Sequence, residues 1–265
     1  MHFDNLFFDA TKARLLGKFE DAADKYEQCL RITSGVADVY YQLSVCYSKL
    51  GRPGSMAMLD TAIDIAPKNT WYLEEKALSL KVQRKSAEAA EIYKKLVELE
   101  PGNSEYYSET VDLLVQAGKH NDAIEMLDKM EVRFGISEEI IRKKEDLYLY
   151  QGKYDNAVEE VQKLLNTAPN HVPYLGLMAE IYSLAGKHQK AKEYYQKILS
   201  IEPKNGLAHF GLANIYRHEG DSVNTIREML LAFDDPEVPA GEKINVIMSM
   251  APLGDNDPAY RQQVF

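Results

Sequence analysis

The sequence predicts an all-α solenoid of about seven to eight antiparallel helix-turn-helix units, and three observations predict it. Glycines recur at one phase, at Gly17, Gly51, Gly118, Gly152, Gly186, Gly220 and Gly254, the last five each 34 residues apart. Five residues after most of these stands a small side chain: Ala22, Ala123, Ala157, Ala191 and Ala259, with Thr225 as a larger member. Prolines fall at a shared phase too, at Pro67, Pro101, Pro169 and Pro203. Three residue types held in register over most of a chain are the mark of a repeat architecture. No alternating strand pattern interrupts them.

The units are taken in order as 3–36, 37–69, 70–103, 104–137, 138–171, 172–205 and 206–239, with a partial unit at 240–265, all in one solenoid domain spanning 1–265. The first turns at Gly17 and places Ala22 in its second helix. The second turns at Gly51 and is one residue short around Pro53 and Gly54, so its small residue is Ser55. In the third, Arg84 stands where the glycine belongs, ahead of Ala89, and this departure is expected to alter the helix crossing locally. Gly118 and Ala123 set the fourth unit and Gly152 and Ala157 the fifth. Both depart at the small position of the first helix, which holds Val111 and Glu145.

The sixth unit shows the pattern most fully. Over Tyr174–Ala185, apolar residues at Leu175, Met178, Ile181 and Tyr182 keep helical spacing. Gly186 supplies the left-handed residue that ends a helix at little cost. A second helix over Gln189–Ile201 carries Ala191, Tyr194, Tyr195, Ile198 and Leu199 on one broad face until Pro203 stops it. Alanines after the turn let two backbones cross closely, while Tyr182, Tyr195 and Tyr216 fill space towards the next pair. The seventh unit turns at Gly220. The eighth keeps phase through Gly254 and Ala259 and is rich in Ile and Met (Ile244, Val246, Ile247, Met248, Met250). Its second helix is cut off at Phe265, and the natural chain is expected to continue.

Units such as residues 172–205 resemble the tetratricopeptide repeat, on the small Ala179, aromatic Tyr182, turn Gly186, small Ala191, aromatic Tyr195 and closing Pro203. The resemblance covers nearly the whole chain. It implies a right-handed superhelix of stacked helix pairs, each too small to bury its own apolar face. It also implies relatives among bacterial proteins, including envelope lipoproteins. The N-terminus lacks a basic segment followed by an apolar run, so no targeting signal stands in this chain. An envelope or periplasmic location after signal removal and a cytoplasmic one both fit the residues.

Composition narrows the function. With 31 basic against 41 acidic side chains the net charge is −10, which repels phosphate backbones and argues against nucleic acid as a partner. The most apolar stretch, Val172 to Gly186, contains Glu180 and is too short to span a membrane. Phosphate-cradling, nucleophile-elbow, zinc-helix and C-x-x-C motifs are absent. His120 and His188 begin second helices, and His209 and His218 are nine apart on one helix, away from metal-pair spacing. Cys29 and Cys46 read as buried small hydrophobes. No cofactor, metal or catalytic residue is expected.

The remaining seat of function is the inner surface, which the resemblance assigns to the first helix of each unit. In register it comprises Phe7, Thr11 and Arg14, then Tyr41, Val45 and Ser48, then Trp71, Glu74, Leu78 and Lys81. Glu105, Ser108, Asp112 and Val115 follow, then Glu139, Arg142, Asp146 and Leu149. Gly176, Glu180 and Ser183 precede Leu207, Phe210, Asn214 and Arg217. Carboxylates crowd the middle, and aromatics mark the ends. The expected partner is a protein or peptide segment, basic or anchored by aromatics. The lysine, asparagine and arginine clamp by which such repeats grip chaperone C-termini is not assembled by any three consecutive units. The alternative is a self-assembling structural subunit of an envelope complex, using Ile244, Ile247, Met248, Val264 and Phe265 as an uncapped end.

Overall fold

A computed structural model of the chain describes residues 2–233 together with positions 235, 241 and 244. The regular structure among the described residues is entirely α-helical. The helices pair as the periodicity predicts: α1 (His2–Leu15) with α2 (Phe19–Ile32), α3 (Ala37–Leu50) with α4 (Ser55–Ile65), α5 (Thr70–Val82) with α6 (Ser86–Leu99), and α7 (Ser104–Gln116) with α8 (His120–Phe134). They continue as α9 (Glu138–Tyr150) with α10 (Tyr154–Thr167), α11 (Val172–Leu184) with α12 (His188–Ile201), and α13 (Gly206–His218) with α14 (Ser222–Phe233). The described helices fall into two compact units, Met1–Gly135 and Ile136–Phe265. Within each, every helix packs on the next in the chain. Most of the expected eighth repeat, including Ile247, Met248, Gly254, Ala259, Val264 and Phe265, lies outside the described residues.

The alanines sit where the crossing argument places them. Ala22, Ala89, Ala123, Ala157 and Ala191 are fully buried, and Thr225 is buried as well. In the short second repeat Ser55 does the same work differently. Its hydroxyl donates to the Ser44 carbonyl at 2.8 Å, so the two small residues of the crossing touch directly. Cys29 and Cys46 are free and buried in the core of the first unit with Ala22, Tyr26 and Leu43, where burial pushes both thiols up and keeps them unreactive. The second unit closes around Val161, Leu175, Met178, Ile181 and Ile198.

At Arg84 a non-glycine residue makes the turn that glycine makes elsewhere. Arg84 adopts a left-handed φ of 58°, close to the 68° of Gly186 at the equivalent place. It also makes the same pair of closing bonds, Arg84 N to Lys81 O and Lys85 N to Leu80 O, as Gly186 N to Ser183 O and Lys187 N to Tyr182 O. The turn is kept and the side chain bears the strain, because the hydrogen bonds and the core on either side over-determine the backbone. Arg84→Gly therefore raises stability by about 0.5–1 kcal/mol, the left-handed penalty less glycine's greater unfolded-state entropy. The reverse change, Gly186→Arg, lowers it by a similar amount. A melting curve in which Arg84→Gly destabilises would contradict this account.

One periodic signal went unused in the sequence. Asn69, Asn103, Ser137 and Asn205 each precede a first helix, and their side chains accept from the backbone N–H groups of Tyr72, Glu105, Ile140 and Ala208. Each satisfies an amide that the helix start leaves without a partner. These caps keep the repeat's phase and fix where each first helix begins.

Candidate functional site

In the first unit the inner residues gather around Trp71. Its indole is 61% exposed, large for the only tryptophan of the chain. It is nevertheless held: its Nε1 donates to the Tyr41 hydroxyl at 2.6 Å, and Tyr41 stacks on Tyr72 with ring centroids 4.9 Å apart. On one side of the indole lies a cleft shared with Arg14, Asp38, Gln42 and Asn69. On the other, α5, α6 and α7 enclose a second cleft of about 380 Å³, where Trp71 meets Glu74, Glu75, Leu78, Tyr93, Glu105, Tyr106 and Glu109.

Two of those four carboxylates are engaged internally. Glu74 accepts from the Tyr106 hydroxyl, and Glu109 pairs with Lys81, whose ammonium also lies 5.8 Å from the centre of the Tyr93 ring. Burial, then the hydrogen bond to Glu74 and its charge, pushes the Tyr106 phenol well above its ordinary value. Glu75 and Glu105 have no ion pair among the described residues. The same hydroxyl-to-carboxylate link recurs from Tyr72 to Asp38 and, in the second unit, from Tyr174 to Glu138 at 3.0 Å. Each joins the first helix of one pair to that of the pair before.

The cleft thus brings together Trp71, Glu74 and Glu105 of the expected inner surface, with Tyr41 beside them. Phe7 lies apart, half-buried against Phe3 and Tyr26 in the core. Asp112 is exposed further along α7. Tyr93 was missed because it comes from a second helix. A signal for it existed: Tyr26, Tyr93 and Tyr195 all stand four residues after the crossing alanine.

The second unit has a different surface. Arg142 pairs with Glu138 at 3.5 Å and Lys143 with Glu139 at 3.7 Å, while Asp146 and Glu180 are exposed. A smaller cleft between α11, α12 and α13 contains Glu180, Ser183, His188, Tyr195, Asn214 and His218, and the two histidine rings stack 5.9 Å apart. Phe210 is half-buried against Ala213, Ile226 and Met229, and Arg217 is exposed. His209 is a core residue: its Nδ1 lies 2.7 Å from Glu228 and its Nε2 3.1 Å from the Pro203 carbonyl.

Glu145 occupies the crossing position that Ala179 and Ala213 hold in later repeats, and it is almost fully buried. Next to it Lys144 is buried too, 3.5 Å from Glu160, which Lys163 approaches to 2.8 Å. Desolvation lifts the Glu145 carboxyl to about 7; Arg142 opposes the rise, and Asp146 and Glu180 add to it.

Two regions of the chain match family models. Residues 172–205, which hold α11 and α12, match a model described as the tetratricopeptide repeat, and residues 75–135 match a second model of that description. Both regions carry tetratricopeptide repeats. The first match coincides with the repeat bounds expected from the glycine and proline phase. Among solved structures, the tetratricopeptide array resembles the C-terminal part of a TPR repeat-containing protein from Cytophaga hutchinsonii, at 17% identity and a TM-score of 0.53 over 91% of this chain and 98% of that one. It also resembles a chain in the structure of Naa15/Naa10 bound to HypK-THB, at 14% identity and a TM-score of 0.56, over the whole of this chain but 44% of that one. At such identities the likeness is one of fold. No curated protein sequence matches the chain. No described helix is long and apolar enough to cross a membrane.

Proposed function

We propose that the protein is a non-catalytic scaffold that holds a cationic segment of a partner protein against the inner faces of its first helices. The observation that carries this reading is the cleft of α5, α6 and α7, where an exposed but fixed Trp71 stands among four carboxylates and a single ammonium. Tetratricopeptide repeats in general serve as interaction scaffolds rather than catalysts, which supports the same reading. So does the charge of the chain, at −10.

A lysine- and arginine-rich peptide binds with an affinity that falls as salt rises, because exposed charge pairs are screened over roughly 8–10 Å at physiological ionic strength. Replacing Glu105 and Asp112 together by glutamine weakens binding several-fold and flattens the salt dependence. Calorimetric titrations at two salt concentrations check both effects. Binding that ignores salt, or a double variant that binds as the parent does, would reject the proposal.

A further inference from the structure

We infer that the cleft between α5, α6 and α7 is a subsite for one arginine side chain of the bound segment, with the guanidinium lying on the Trp71 indole and held by the carboxylates of Glu75 and Glu105. The inference rests on the scaffold reading above and deepens it.

The platform comes first. An indole that is 61% exposed leaves apolar area in water, and an exposed side chain ordinarily keeps its rotamer freedom. Here the freedom is already removed, since Nε1 is bonded to Tyr41, which is itself stacked on Tyr72. A flat aromatic face fixed before binding lowers the ordering cost that a ligand meets, and tryptophan offers cations the strongest π-face of any side chain.

The charges come second. Glu109 is paired with Lys81, so the negative charge left without an ionic partner belongs to Glu74, Glu75 and Glu105, and of these Glu74 is already held in place by the Tyr106 hydroxyl. At one end of the cleft the ammonium of Lys81 rests on Glu109 near the Tyr93 ring. That contact is an internal instance of a cation held by this wall of aromatic and acidic groups. The Trp71 end has the same chemistry, and the cation beside the indole, Arg14, lines the cleft on its other side.

The shape of the occupant follows. A guanidinium is planar, weakly hydrated and able to fork between carboxylates while stacking on a ring, whereas an ammonium is a compact and strongly hydrated point charge. Leu78, 53% exposed in the same cleft, offers apolar surface for the methylene stem behind the charge.

Trp71 is the sole tryptophan, so its emission reports on the cleft directly. The test titrates the intact chain with three tryptophan-free peptides that share two flanking lysines and differ only in a central arginine, lysine or citrulline. Emission and calorimetry are followed together. The arginine peptide is expected to shift Trp71 emission saturably and to bind at least tenfold more tightly than the citrulline peptide, with lysine in between. Glu75→Gln combined with Glu105→Gln should erase the difference between arginine and citrulline. Trp71→Ala, followed by calorimetry, should lower affinity for the arginine peptide about tenfold with an unchanged circular dichroism spectrum.

If all three peptides bind equally and leave the emission unchanged, the subsite is refuted while the scaffold reading stands. If none binds, both fall. Equal affinity for lysine and arginine overturns the guanidinium assignment, and an emission shift that follows protein concentration without peptide overturns it in favour of a second copy of the chain.

Discussion

Ala191→Trp lowers stability by about 3 kcal/mol, because an indole has no room at a helix crossing where the native methyl is fully buried. Ala191 lies in the core of the second unit with Ala157, Val161, Leu175 and Ile198, so the intrusion forces α12 away from its partner. Gln189→Trp, exposed two residues earlier on the same helix, costs no more than about 0.5 kcal/mol and serves as the control. In an array where each repeat leans on its neighbours, the loss appears first as faster amide exchange in α11, α12 and α13. A melting curve and exchange pattern identical to the parent's would mean that the crossing is not where the alanines place it.

Stability falls as pH rises through the window between about 4.5 and about 7, and Glu145 is the cause. Burial makes the folded chain hold this proton more tightly than the unfolded chain does, so removing it penalises the folded state. The favourable difference is fully present below about 4.5 and gone above about 7. Glu145→Gln keeps the neutral shape without the titration. The variant and the parent should be equally stable at pH 4, and at pH 8 the variant should be more stable by on the order of 2 kcal/mol. Arg142, Asp146 and Glu180 face the carboxyl and remain in both proteins, so the comparison isolates Glu145. A gap that stays constant from pH 4 to pH 8 would refute the assignment.

The repeat was legible in the sequence because its markers answer local demands. A left-handed turn wants glycine, a close crossing wants alanine, and a helix that must stop wants proline. Each demand involves a few neighbouring residues and repeats with the unit. Arg84 shows the limit of reading a marker by type alone: the backbone kept its conformation with the wrong residue, since the flanking hydrogen bonds outweigh the strain. Glu145 was visible as an anomaly at a small-residue position, but its altered acidity follows only from its burial.

The cleft at Trp71 was half legible. Trp71, Glu74 and Glu105 lie on first helices and were placed by register. Tyr93 lies on a second helix and reaches the cleft because α6 packs between α5 and α7, a relation between neighbouring pairs that no single repeat encodes. Counting acidic residues also misleads about charge. Glu109 is neutralised by Lys81 and Glu74 is held by the Tyr106 hydroxyl, and only the folded arrangement separates them from Glu75 and Glu105.

The phenol links from Tyr72 to Asp38, Tyr106 to Glu74 and Tyr174 to Glu138 bear on mechanics as well as packing. Each is a polar catch between consecutive hairpins, additional to the greasy contacts that would let them slide. Pulled apart, the first unit would release two of these catches one after the other and the second unit one, each worth roughly 1 kcal/mol. The chain would then yield to tension in small steps, and phenylalanine at those three places would leave a softer spring of the same length.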